Sequence, residues 1–130
     1  RTTRRILGRE GLADGQHGRR FDTSIGLAAD WRKPGFVWEI PYGTLLPTNV
    51  SGLLVAGRCI ASEGDAWEVT RVIPAAALTG QAAGMAAVLA VKTGSPPDRL
   101  EASRIQESLR EKGIPYHLQD LDIINLSSTH

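Results

Sequence analysis

Residues 53–90 read LLVAGRCIASEGDAWEVTRVIPAAALTGQAAGMAAVLA, and the organisation of the whole chain follows from how this stretch is parsed. Leu53-Leu54-Val55-Ala56 is a short continuous apolar run closed by Gly57, the composition of a strand buried on both faces. A polar connection from Arg58 to Thr70 follows, carrying Glu63, Gly64, Asp65 and Glu68. Pro74 then opens a helix that runs to about Lys92, because proline is tolerated at a first helical position, where its missing N–H would have no intrahelical partner. Gly94 and the following Ser95-Pro96-Pro97 stop it. Small residues dominate this helix: Ala75, Ala76, Ala77, Gly80, Ala82, Ala83, Gly84, Ala86 and Ala87. Such a surface lets a neighbouring backbone or a flat ligand approach closely, and Gly80 and Gly84, four apart, are expected to share one contacting face. An apolar run of this length also raises a membrane span. Alanine's weak hydrophobicity, together with Thr79, Gln81 and the two glycines, favours a buried helix without a membrane partner.

Working outward, residues 1–46 read as short strands and loops. Thr3–Leu7 has strand character and is followed by a glycine-punctuated segment, Gly8 to Gly18, with turn chemistry at Ala13-Asp14-Gly15. Ser24–Ala29 suits a short strand or a turn of helix. Phe36–Tyr42, with Val37, Trp38 and Ile40, has strand composition and ends at Pro41. On the carboxy-terminal side, Asp98 and Glu101 are spaced as a variant capping box, and Leu100, Ile105 and Leu109 form a narrow apolar stripe. Gly113 and Pro115 end that last helix, and a frayed tail is expected after Asp122. The expected fold is α/β (α+β for the piece alone). Residues 1–46 hold strands and loops, 47–122 hold the buried strand and two helices, and 123–130 form the tail.

With 130 residues, 42% apolar and 22% charged, the chain is one ordinary soluble domain. A net charge of +1 gives no reason to expect nucleic acid or an anionic membrane as partner. Arg1, Arg4, Arg5, Arg9, Arg19 and Arg20 cluster near the start, as an anion site or a solvated face. The single cysteine, Cys59, excludes an internal disulfide framework and any multi-cysteine metal site, which fits a reducing, cytoplasmic compartment. RTTRRILGRE lacks the apolar stretch of a secretory signal, and the missing initiator Met suggests a fragment or a trimmed chain.

Chemistry concentrates where the buried strand, the Gly-Arg turn, Arg71 and the helix start succeed one another. The first turn of a helix offers unpaired N–H groups and a partial positive charge. No serine, threonine, aspartate or asparagine sits next to Pro74 to cap it, and Thr70 lies too far upstream. That helix start therefore faces an acceptor such as a phosphate, carboxylate or flavin carbonyl, or else water or a neighbouring loop.

The same run, with AGR at 56–58 and GQAAG at 80–84, resembles the closing segment of FAD-dependent oxidoreductases. Upstream, RRILG at 4–8, GRRFDTSIG at 18–26 and IPYGTLLPTNVSG at 40–52 resemble that family too, so the likeness spans about Arg4 to Gly113. It implies that residues 47–122 complete a doubly wound, glutathione-reductase-like FAD-binding domain, with 1–46 on the substrate side. It further implies that Ala56, Gly57 and Arg58 lie beside the ribityl and pyrophosphate chain of FAD. Arg71, Val72 and Ile73 would approach the pyrimidine edge of the flavin. Many flavoproteins of this fold carry an aspartate after that glycine; Arg58 stands there instead, and Glu63 and Asp65 are conceivable substitutes. No G-x-G-x-x-G occurs anywhere in the chain, so the loop that holds the pyrophosphate of a dinucleotide is missing. The expected partner is accordingly the rest of the FAD domain, with self-association through the uncovered face, and FAD is not expected to stay on this piece alone. An interaction module without cofactor is the alternative.

Other residues carry weaker expectations. Cys59 reads as a small core residue before a redox thiol, and His17 and His117 as surface residues without metal-ligand spacing. Of Trp31, Trp38 and Trp67, two are expected to pack and one to line a pocket. Arg5, Arg19 and Arg20 are candidates for an anionic substrate in a full enzyme. No catalytic residue can be named from order alone.

Overall fold

The computed structural model describes residues 4–121, which form a mixed helical and β structure around one core. Two strands, β1 (Ser24–Ala29) and β2 (Val37–Pro41), pair antiparallel with Ala28 opposite Trp38, and the register shifts between Ser24 and Leu27. The helices α1 (Gly64–Thr70), α2 (Ile73–Thr93) and α3 (Ala102–Glu111) follow. The core draws Leu12, Ile25, Trp38, Ile40, Leu45, Ile60, Val69, Ile105 and Leu109 from loops, strands and helices alike.

Of the four expected strands, Ser24–Ala29 and Phe36–Tyr42 appear as β1 and β2, and both long helices appear near where the pattern placed them. The helix begun at Pro74 spans Ile73–Thr93, with Pro74 in its first turn and Gly94 ending it in the left-handed region at φ 67°. Only one face of α2 is buried, through Ala75, Thr79, Ala82, Ala86 and Ala90, whose three- and four-residue spacing makes a single stripe. The opposite face is open, with Ile73 86% and Val91 84% exposed. A Cβ built at Gly80 or Gly84 meets nothing within 4 Å, so the close contact expected there is absent among the described residues. By length and composition alone α2 is apolar enough to cross a membrane.

Four expectations are corrected. Leu53–Ala56 is not a strand: its backbone is extended at Ala56, but Leu53 is 46% exposed. A strand is defined by its neighbours, and here Val55 N–H to Leu45 O, at 2.9 Å, is its one bond to an adjacent segment among the described residues. Residues 4–7 of the first expected strand are likewise irregular, Ile6 N–H bonding Cys59 O, while Thr3 lies outside the described residues. The polar connection is not all loop, since it contains α1 with Ala66, Trp67, Val69 and Thr70 buried. Asp98 does not cap α3, which starts at Ala102 behind a short 3-10 turn, Pro97–Arg99. Its carboxylate is taken instead by the Ser51 hydroxyl (2.9 Å), the Gly52 N–H (3.2 Å) and Arg9 (3.2 Å). The tail expected after Asp122 lies outside the described residues.

Substitutions on the two faces of α2 should act oppositely. Ala82→Leu, at a fully buried position, is expected to destabilise the chain by about 1–3 kcal/mol through overpacking. Gly84→Ala, in open space, should stabilise it by about 0.5–1 kcal/mol through helix propensity. Chemical denaturation of both variants checks the pair; destabilisation by Gly84→Ala would mean that this face is covered.

Asp98 supplies a pH dependence. The Gly52 N–H, then the Ser51 hydroxyl, hold its carboxyl below the ordinary value of 3.8. Folding favours the ionised form, so this contribution is complete above that value and disappears as pH falls through the lower, folded one. Asp98→Asn should therefore flatten the acid limb of a stability–pH curve measured by thermal unfolding.

Candidate functional site

Gly57 turns the chain at φ 79°, a conformation that a side chain would strain, and opens the short 3-10 turn Gly57–Cys59. Its N–H donates to Thr79 Oγ1 at 3.0 Å, and a Cβ built on it would lie 3.9 Å from that of Ala76. The Thr79 hydroxyl in turn donates to Ala75 O (3.0 Å) within α2. The turn carrying Ala56, Gly57 and Arg58 is thereby pinned to the first turns of α2. Arg58 is exposed and Cys59 half-buried, with its Sγ 3.6 Å from Ala56 O.

The start of α2 is built by Arg71, Val72 and Ile73. Val72 occupies the cap position in extended conformation and no side chain caps the helix. Ala76 N–H bonds Val72 O, the first intrahelical link. Thr70 is engaged elsewhere, by Ser62 Oγ at 3.0 Å. Arg71 turns back on α1: its Nε meets Glu68 Oε2 at 3.0 Å, and its guanidinium lies 5.4 Å from the centre of the Trp67 ring. The six residues thus fall into two groups joined through α2, a glycine turn beside its first two turns and the uncapped start itself.

Two clefts flank this region. One, of about 280 Å³, is apolar and lies at the helix start, lined by Leu27, Ala29, Trp31, Val72, Pro74 and Leu78. The other, of about 420 Å³, is charged and lined by Arg5, Asp14, Arg32, Glu63, Asp65 and Trp67 among others. In it Glu63 pairs with Arg5 at 2.8 Å, and Asp65 with Arg32 at 3.4 Å. Arg32 also grips Asp30, and its guanidinium holds that carboxyl below the ordinary carboxylate value. Glu63 and Asp65 are therefore already balanced by arginines.

Trp38 and Trp67 are buried and pack, Trp67 also walling the charged cleft, while Trp31, 61% exposed, lines the apolar one. The amino-terminal arginines do not converge: Arg5 bonds Glu63, Arg19 covers Phe21, and Arg20 reaches Gln119. His17 stacks on Phe36 at the surface, whereas His117 is not a surface residue; it is 9% exposed and bonded to Glu39. Among the described residues no three metal-ligating side chains come together. Sequence reasoning missed Leu78 and Val69 as cleft walls; the Ala66, Val69, Thr70 spacing was the available sign of α1.

A family model described as FAD dependent oxidoreductase matches residues 14–109, which include both groups and the apolar cleft, and all of the charged cleft's lining but Arg5. No curated protein and no solved structure matches the chain.

The geometry of Arg71 sets its expected role in stability. A half-buried ion pair between neighbours on one helix end and one ring contact together contribute little. Arg71→Ala should therefore cost the chain about 1 kcal/mol or less in urea unfolding, and a larger loss would assign it a core structural role.

Proposed function

Because the chain belongs to the FAD dependent oxidoreductase family, we propose that it is the carboxy-terminal part of a flavoprotein oxidoreductase and completes a doubly wound, glutathione-reductase-like FAD-binding domain. The observation that carries the reading is the pinning of the Gly57 turn onto an uncapped, 21-residue helix by the Thr79 hydroxyl. That arrangement suits FAD chemically. The helix start supplies backbone donors and roughly half a positive charge, and no side chain competes for them. Gly57 supplies one backbone position without side-chain bulk, next to the Arg58 guanidinium.

In this reading Ala56, Gly57 and Arg58 hold the ribityl and pyrophosphate chain, while Arg71, Val72 and Ile73 meet the pyrimidine edge. FAD, when bound, supplies the capacity to exchange a hydride or two electrons with a small-molecule substrate. The protein's own contribution is placement and electrostatics. The α2 dipole favours negative charge at the helix start, and the cleft beside Val72 and Pro74 gives it an apolar wall on one side. Thr79 ties these functions together, since one hydroxyl sets the turn relative to the helix.

The extended, largely unpaired segment 53–56 and the open face of α2 support a further part of the proposal. Both are where the remaining strands and helices of the FAD domain, including a glycine-rich phosphate loop, would pack. The 130-residue chain should accordingly purify without stoichiometric flavin and self-associate. In the longer protein, Arg71→Ala should weaken FAD binding by about tenfold or more, the loss of one charge-assisted bond of roughly 1.5–3 kcal/mol. Arg71→Lys should restore part of it, since an ammonium lacks the guanidinium's fixed fork. Titration of FAD into the apo forms measures both. Equal dissociation constants would leave Arg71 an α1 surface residue, and a yellow, strictly monomeric 130-residue chain would overturn the fragment reading.

A further inference from the structure

Glu39 is a fully buried carboxylate whose three hydrogen bonds come from two distant parts of the chain. Its Oε1 accepts the Phe21 N–H at 2.9 Å and meets His117 Nδ1 at 2.9 Å. Its Oε2 accepts the Leu118 N–H, again at 2.9 Å. An ionised carboxylate only accepts, so three donors satisfy it and offset the cost of removing it from water. Two of these three donors belong to residues 117–118.

The segment that carries them is separated from α3 by Gly113, at φ 70°. Beyond that hinge, the Tyr116 carbonyl accepts from the Ser24 hydroxyl on β1. Asp120 Oδ2 accepts the Tyr116 and His117 N–H groups, each at 3.1 Å, which folds the segment on itself. It therefore touches β1 through Ser24 and β2 through Glu39, crossing both strands of the sheet. Gln106 of α3 holds the same region independently, donating to Asp22 O at 2.7 Å and Ser24 O at 2.9 Å.

We propose that residues 114–121 form a strap across the two-stranded sheet, hinged at Gly113 and latched by Glu39, which opens as a unit while the sheet and α3 stay in place. The latch is releasable for a physical reason. When the strap lifts, water reaches Glu39 and replaces the donors it loses, while Tyr116 leaves the core and Arg110 and Arg20 give up Tyr116 Oη and Gln119 Oε1. Gln106 and the Phe21 N–H remain to hold the sheet after the strap has gone.

Glu39→Gln tests the latch, because an amide nitrogen then confronts a donor, the Leu118 N–H if the amide oxygen keeps the Phe21 and His117 bonds. Amide hydrogen exchange read by mass spectrometry should show exchange in 114–121 accelerated at least tenfold. Exchange in Ser24–Ala29 and Val37–Pro41 should be unchanged, and tryptic cleavage after Lys112 should rise in parallel. His117→Phe keeps Glu39 and the ring volume but removes one strap donor; it should give the same confined acceleration, and it decides the matter if Glu39→Gln does not fold. Unchanged exchange in 114–121, or equal acceleration across strap and strands, would overturn the proposal.

Discussion

Helix α2 can sit where it does because its inward face is almost without bulk. Ala75, Ala82, Ala86 and Ala90 bring its axis close to the sheet, and Thr79, the one polar residue on that face, finds its partners at the point of closest approach. The Thr79 hydroxyl donates to its own helix and accepts from Gly57, so a single oxygen fixes the height of the turn above the helix. A larger residue on that face moves the helix outward and breaks the bond to Gly57 at once. The geometry assigned to flavin binding thus depends on close packing two turns away from the helix start.

Regular secondary structure is sparse outside the helices, and carboxylates do the joining that strands would do elsewhere. Glu10 accepts the Thr23 hydroxyl and the Gly43 N–H, drawing the first loop onto the end of the sheet. Asp98 gathers Arg9, Ser51 and Gly52 from two other segments. Tyr42 completes that corner by donating to Pro97 O, and burial there, with Asp98 nearby, pushes its phenol up to about 12. Each acceptor-only group suits a loop-rich fold because it collects several N–H and O–H donors at one point.

Elements marked by local chemistry could be read from the chain. Pro74 and Gly94 bracket α2, Gly113 ends the α3 region, and the β-branched and aromatic residues around Trp38 give β2. What escaped reading depends on partners. Leu53–Ala56 has the composition of an internal strand, but composition does not provide the strands beside it. Asp98 and Glu101 have capping-box spacing, yet a residue 89 positions away claims the aspartate. His117 looked solitary because Glu39 is 78 positions upstream. Helix α1 was hidden by its charged flanks, although Ala66, Val69 and Thr70 mark one face. For the site, the order turn–arginine–helix was visible in the sequence, but the Thr79 bond and the engagement of Arg71 by Glu68 and Trp67 were not.

The long reach of these contacts also shapes how these residues come together in folding. Arg9 waits for Asp98, Arg20 for Gln119 and Glu39 for His117, separations of 89, 99 and 78 residues. Closing loops of that length precedes the reward of the contacts they bring, which slows folding. Before α2 and α3 pack on them, β1 and β2 are a lone hairpin, a structure marginal in water without a packing partner. Helices α2 and α3 supply that partner, and because both lie downstream of the strands the hairpin gains its cover only once residues as far as Glu111 are there to fold.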